Sequence, residues 1–180
     1  PGETRDFDTL EQMNDTIVNN INDMVGENDV LIHFGDFSFS SFNSIVEFRN
    51  KIVCKNIYLI FGNHDHHIIN NKENCQSLFA WCGYYLNAEI IDSNVEKGQP
   101  YTKTKFICSH FPIASWEEMG RGRVHLHGHT HLPSHLKLNN RALDVGMDGN
   151  NLKPYNLKEV MKLMKGQPIG RLILPQDHHE

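Results

Sequence analysis

The sequence contains no apolar run approaching the 18 or so residues that a membrane-spanning helix needs. Its first residues, Pro1-Gly2-Glu3-Thr4-Arg5, carry none of the features of a signal peptide. Basic runs are missing as well. Lys and Arg number 17 against 22 Asp and Glu, a formal charge of -5, which argues against a general nucleic-acid-binding surface and leaves open only local contact with a small phosphate-bearing substrate. Cysteine is scarce: Cys54, Cys75, Cys82 and Cys108 show no Cys-x-x-Cys spacing, so buried reduced thiols are expected rather than disulfides. These absences point to a soluble, cytoplasmic protein. At 180 residues the chain fits a single domain able to bury about 70% of the surface its unfolded form exposes.

Leu10, Met13, Ile17, Ile21, Met24 and Val25 recur at helical spacing behind a Thr9/Gln12 capping box, which predicts a helix over 9–25. Apolar runs predict buried strands at 30–34, 56–61, 103–108 and 123–127, and helices are expected at 41–50 and 156–165. Between 66 and 100 the pattern suggests a short helix near 73–81 and short strands at 84–86 and 89–91, with a turn at Gly98-Gln99-Pro100. Further strands are expected at 135–138, 142–145 and 170–174.

Histidine is what the chain has in excess. In Val124-His125-Leu126-His127-Gly128-His129-Thr130-His131 it occupies every second position, and an extended stretch would set these side chains on one face. A row of solvated histidines and a metal site fed from a strand end both fit that pattern. Three other stretches favour the metal site: four predicted strands run straight into metal-competent side chains, first Asp36, then Asn63 and His64, then His110, then His129 and His131. In layered α/β proteins ligands gather where strands end at their carboxyl edge. Gly35, Gly62 and Gly128 precede three of the clusters, where glycine permits a tight turn or close backbone approach. A carboxylate, an amide oxygen and imidazoles without thiolate suit Mn, Fe, Zn, Co or Ni better than Ca or a structural zinc.

In order and rough spacing, Gly35-Asp36, Gly62-Asn63-His64-Asp65, His110 and Gly128-His129-Thr130-His131 resemble the signature of the calcineurin-like metallophosphoesterases. Softer features extend the likeness: Ser109-His110-Phe111-Pro112-Ile113 with Trp116, and Asp144-Val145-Gly146 followed by Pro154. The resemblance implies two mixed β-sheets packed as a sandwich with helices outside, and a centre of two divalent transition metals, Mn preferred. It implies that Asp36 bridges the metals, that Asn63, His110 and His129 hold one of them, and that His131 belongs to the other. His64 would then be the general acid, with Asp65 orienting it, raising its pKa or standing as a plain exposed carboxylate. The implied substrate is a small phosphoester, a nucleotide among the candidates, with a diester preferred over a monoester. The alternatives are a non-catalytic scaffold and a nucleotide-binding regulator on the same fold, and retention of His64 speaks against both.

The family also has an Asp-x-His block on a first strand, which this sequence does not show near Pro1. The expectation is one domain over 1–180 whose first strand lies upstream of Pro1. The tail Leu172-Ile173-Leu174-Pro175-Gln176-Asp177-His178-His179-Glu180 has the look of that block, but a polar chain end is the preferred reading of Asp177 and His179. Outside the motif, His33 is expected in the core or supporting a ligand, His66 and His67 in a loop, and His125 and His127 solvated or supporting a ligand. Arg121 and Arg123 could grip a phosphate but read better as solvated loop residues, and Trp116 either walls a cleft or packs.

Overall fold

A computed structural model of the chain describes residues 5–71, 73–92, 102–131 and 140–170. The expected strands at 135–138 and 170–174 fall wholly or mostly outside these residues, as do Asp177 and His179. Helix α1 spans Leu10–Met24, with the Thr9 side chain accepting from Gln12 N–H at its N-cap. Only half of the anticipated capping box forms, because the Gln12 side chain accepts from Asp8 N–H instead of Thr9 N–H. Strand β1 (Val30–His33), helix α2 (Phe42–Lys51) and strand β2 (Asn56–Ile60) follow near their predicted places.

The 66–100 region departs most from expectation. His66 and His67 open a short helix α3 (His66–Asn70), and the helix expected at 73–81 is only a 3-10 turn at Gln76–Leu78 leading into strand β3 (Trp81–Gly83). The two short strands expected at 84–86 and 89–91 are one, β4 (Tyr85–Asp92). It pairs antiparallel with β5 (Thr102–Ser109), and that ladder, a tertiary contact, overrides the weak local signal at its centre. Strands β6 (Val124–His127) and β7 (Ala142–Asp144) and helix α4 (Leu157–Met164) complete the order. A capping box between Asn156 and Glu159 starts α4.

The fold is α/β with two sheets. The order β1-β2-β3 forms a parallel sheet, and β4-β5-β6-β7 forms one in which β4 runs antiparallel to β5 while β5, β6 and β7 are parallel. The expectation of two mixed sheets therefore holds for one only. Alternation along each strand sorts the side chains into layers. Ile57 and Leu59 of β2 face a core shared with Val18 and Ile21 of α1, Ile45 of α2 and Ile68 of α3. Ile60 of β2 faces the other way, into a core with Phe106 and Cys108 of β5, Val124 and Leu126 of β6, Leu143 of β7, and Val160 and Met164 of α4. The sheets thus meet across this second core. Behind the four-stranded sheet, Ile107 and Ala142 pack against Trp116 and Met119 of the 110–123 connection.

The four cysteines are unpaired; Cys54, Cys75 and Cys108 are buried and Cys82 is half-buried. Burial pushes the Cys108 thiol up to about 12 and, together with the Asp65 charge, the Cys82 thiol up to about 11, so both stay protonated and unreactive at neutral pH. Among the described residues, no helix is long and apolar enough to cross a membrane.

Candidate metal centre

The carboxyl ends of β1, β2, β5 and β6 bring Asp36, Asn63, His110 and His129 together. One donor atom from each of Asp36, His110 and His129 lies within 4.8 Å of the others. His110 Nε2 stands 2.9 Å from Asn63 Oδ1, 3.1 Å from His129 Nδ1 and 3.5 Å from Asp36 Oδ2. On the other side of the His110 ring, Nδ1 is 2.6 Å from the Phe34 carbonyl oxygen. A carbonyl only accepts, so Nδ1 carries the proton, and in the neutral ring Nε2 presents a lone pair to the Asn63 and Asp36 oxygens. Lone pairs converging at such distances repel unless a proton or a metal cation lies among them. The donor set, one carboxylate, one amide oxygen and two imidazoles, fits a divalent transition metal.

Close packing of backbone makes this convergence attainable. Gly35 has φ +93, and a Cβ there would stand 2.4 Å from His110 Nδ1. At Gly62 a Cβ would lie 2.3 Å from Asp36 Oδ1 and 2.8 Å from His110 Cε1. Asp36, His129 and His131 are themselves left-handed, with φ 54, 66 and 48. Non-glycine residues pay for that conformation and keep it where surrounding contacts enforce it, commonly at functional sites.

Asp65 is one of those contacts. It is neither exposed nor directed at His64: the residue is 1% exposed and its carboxylate accepts three backbone hydrogen bonds, from Asp36 N–H (2.8 Å), Phe37 N–H (2.7 Å) and Gly62 N–H (2.7 Å). It ties the turn after β1 to the turn after β2, and so fixes Asp36 against Asn63. Neighbouring His64 is exposed, its ring packed on Phe39 at 4.6 Å between centroids, and its backbone N–H donates to Asp36 Oδ1 at 2.9 Å. Its side chain is outside the donor cluster.

His131 is also outside that cluster; its Nδ1 bonds Oδ2 of the Asp148 carboxylate, which Arg5 holds through both oxygens. Asp148 gave no signal in the sequence beyond an acidic residue shortly after a strand, and Arg5 lies 143 residues away from it.

His125 and His127 do not share the face of His129. Both are fully buried on the outer side of β6, where the His125 ring lies 5.2 Å from Trp116 and 5.3 Å from His127. His125 Nδ1–H donates to the Ile107 carbonyl and Nε2 accepts from Ile113 N–H, and burial pushes its pKa down to about 4. The alternation stops because β6 ends at His127 and the backbone turns left-handed at His129. Trp116 packs, donating its Nε1–H to the Arg123 carbonyl. Arg123 is not solvated: its side chain is 5% exposed and paired with Glu117 and Glu118, whereas the Arg121 side chain is 83% exposed. His33 sits edge-on to Phe37, its buried Nδ1 without a hydrogen-bond partner among the described residues, and burial lowers its pKa against the opposing pull of Asp65 and Asp36.

Compared with known proteins, the chain is 25% identical to an uncharacterized protein of Methanocaldococcus jannaschii over 176 residues, covering 94% of this chain and 85% of the relative. No protein-family model matches the sequence. No solved structure matches it either.

Proposed function

We propose that the chain is a metal-dependent phosphoesterase of the calcineurin-like type, hydrolysing a phosphodiester in preference to a monoester at a centre of two divalent transition metals, Mn first among them. The corresponding metallo-dependent phosphatase fold is part of the same proposal, supported by a parallel sheet packed on a mixed one with the donors at the strand ends. The observation that carries the reading is the convergence of Asp36, Asn63, His110 and His129 around the His110 Nε2 lone pair. When bound, divalent ions supply Lewis acidity, lowering the pKa of a water and offsetting charge on the phosphoryl oxygens. Asp36, Asn63, His110 and His129 would hold one ion, and Asp36 with His131 would take part in holding the other. Asp65 keeps Asp36 and Asn63 in register by fixing their turns. His64, exposed and tethered by its own backbone N–H to Asp36, is free to give a proton to the leaving oxygen.

Replacing His64 by Ala tests this. Metal stoichiometry is expected to stay the same, while the rate on a diester with a poor leaving group falls by about 10² to 10⁴-fold, the usual contribution of a general acid. With nitrophenolate as leaving group the loss should be visibly smaller, because that oxygen needs little protonation. Loss of metal from the variant would make His64 a ligand; full activity on both esters would place the proton elsewhere.

A further inference from the structure

Two carboxylates grip the turn that follows β6. Asp144, the last residue of β7, accepts hydrogen bonds from Thr130 Oγ1 and from Gly146 N–H, the latter at 2.7 Å. Four residues on, in the 3-10 turn Met147–Asn150, Asp148 faces His131 Nδ1 through Oδ2. Arg5 reaches the same carboxylate with both arms of its guanidinium, Nε to Oδ1 at 2.5 Å and Nη2 to Oδ2 at 3.0 Å.

The burial of the partners gives the arrangement a direction. The Asp148 side chain is 8% exposed and that of His131 57%. Burying a carboxylate is costly unless it is paired, and a bidentate guanidinium is the geometry that satisfies and aims it. Asp148 is therefore anchored by the part-buried Arg5, while the His131 ring reaches out from a left-handed turn and would sample several rotamers without a fixed partner. A carboxylate accepts and does not donate, so the His131 proton facing it sits on Nδ1, and in the neutral ring Nε2 keeps the lone pair. In water a free neutral imidazole side chain favours the opposite tautomer, so Asp148 selects the less common form.

We propose that Asp148, itself held by Arg5, is a positioning residue that fixes the exposed His131 ring as its Nδ1–H tautomer and so reserves Nε2 as the atom able to bind a metal ion. The value of this for catalysis rests on the reading of His131 as a metal ligand; the tautomer and the fixed ring are properties of the metal-free chain. Partners of this kind orient ligating histidines and fix which nitrogen is free.

The test is long-range proton–nitrogen correlation NMR of the metal-free full chain at pH 8.5, with the His131 signals assigned through His131→Gln. In the wild type, Nδ1 is expected to carry the pyrrole-type shift and Nε2 the pyridine-type shift. Asp148→Ala should move His131 toward the Nε2–H form, and Asp148→Asn, whose amide oxygen can still accept, should largely restore the wild-type pattern. Arg5→Ala, which leaves the carboxylate in place but unanchored, should give an intermediate spectrum. A wild-type His131 in the Nε2–H form overturns the proposal, as does a spectrum unchanged by Asp148→Ala. Mn²⁺ titration of the same proteins separates the two layers: Asp148→Ala should weaken binding of the ion held by His131 about 10- to 100-fold. A tautomer change with no change in Mn²⁺ affinity would leave the positioning role standing and remove His131 from the metal centre.

Discussion

Strand β6 and the four residues after it carry the same residue type at the same spacing, and they meet opposite fates. His125 and His127 are fully buried: His125 packs on Trp116 and satisfies Ile107 O and Ile113 N–H, and the neighbouring His127 ring turns Nδ1 to the Gly128 carbonyl. His129 and His131 are exposed, left-handed and directed at other polar side chains, His129 at His110 and His131 at Asp148. The same division separates Asp65 from Asp36. The first spends its carboxylate on three backbone N–H groups; the second, half-buried, keeps an oxygen toward His110. In each pair the buried member holds the backbone in place and the outer member is left available for a ligand.

The sharpest way to break this division is at the aspartates. Asp65→Ala strands three backbone donors, two of them buried and one half-buried, that now have a charged acceptor, so a loss of about 5 kcal/mol in urea unfolding is expected, against a change within about 1 kcal/mol for Asp36→Ala. Equal losses would mean that Asp65 is not the clamp. At the histidines the contrast should appear in two different measurements. His129→Ala is expected to weaken Mn²⁺ binding by more than about 100-fold, beyond the effect of removing a mere supporting partner, and to leave the unfolding midpoint nearly unchanged. His125→Ala should do the reverse, costing about 3 kcal/mol through a cavity and two unpaired backbone groups while leaving metal affinity in the folded fraction unaltered. A metal-binding defect in His125→Ala would dissolve the comparison.

Acid sharpens the same contrast. The folded-state pKa of His125 is pushed down to about 4 from the ordinary 6.5, so below pH 6.5 the unfolded chain takes up a proton that the folded chain refuses. The His125 contribution to the stability of the metal-free protein should therefore be lost as pH drops from 6.5 toward 4, by up to about 3 kcal/mol, and change no further below that. His33, whose pKa is lowered by burial, adds to the loss with the same sign. His125→Gln, which retains a donor and an acceptor, should flatten the slope by its share; an unchanged slope would place the pH dependence elsewhere. The smallest effect belongs to the exposed arginine of the connection that covers these histidines. Arg121→Ala should change stability by no more than about 0.5 kcal/mol, since its pairing with Glu118 is solvated.

Much of this was legible in the sequence because it is local. The period of α1 and its Thr9 cap, the apolar strands β1, β2, β5 and β6, and the polar cluster placed just beyond each of them are all set by neighbours within a few residues. That is why Asp36, Asn63, His110 and His129 could be picked out before their geometry was known. The 66–100 region was poorly legible because β4 has weak alternation of its own and owes its continuity to the ladder with β5.

Tertiary structure decided which of several identical side chains does what. Within Val124-His125-Leu126-His127-Gly128-His129-Thr130-His131 the glycine marks where the strand can end, but which way His129 and His131 then turn depends on Gly128 N–H bonding the His110 carbonyl and on Asp144 holding Thr130. The roles of Asp65 and Asp148 were hidden for a related reason. Asp65 serves donors on two chain segments that meet only in the fold, and Asp148 is held by Arg5 from 143 positions away. Residue type and spacing fix what a side chain can do chemically; whether it spends that capacity on the backbone or keeps it for a ligand depends on what the rest of the chain places beside it.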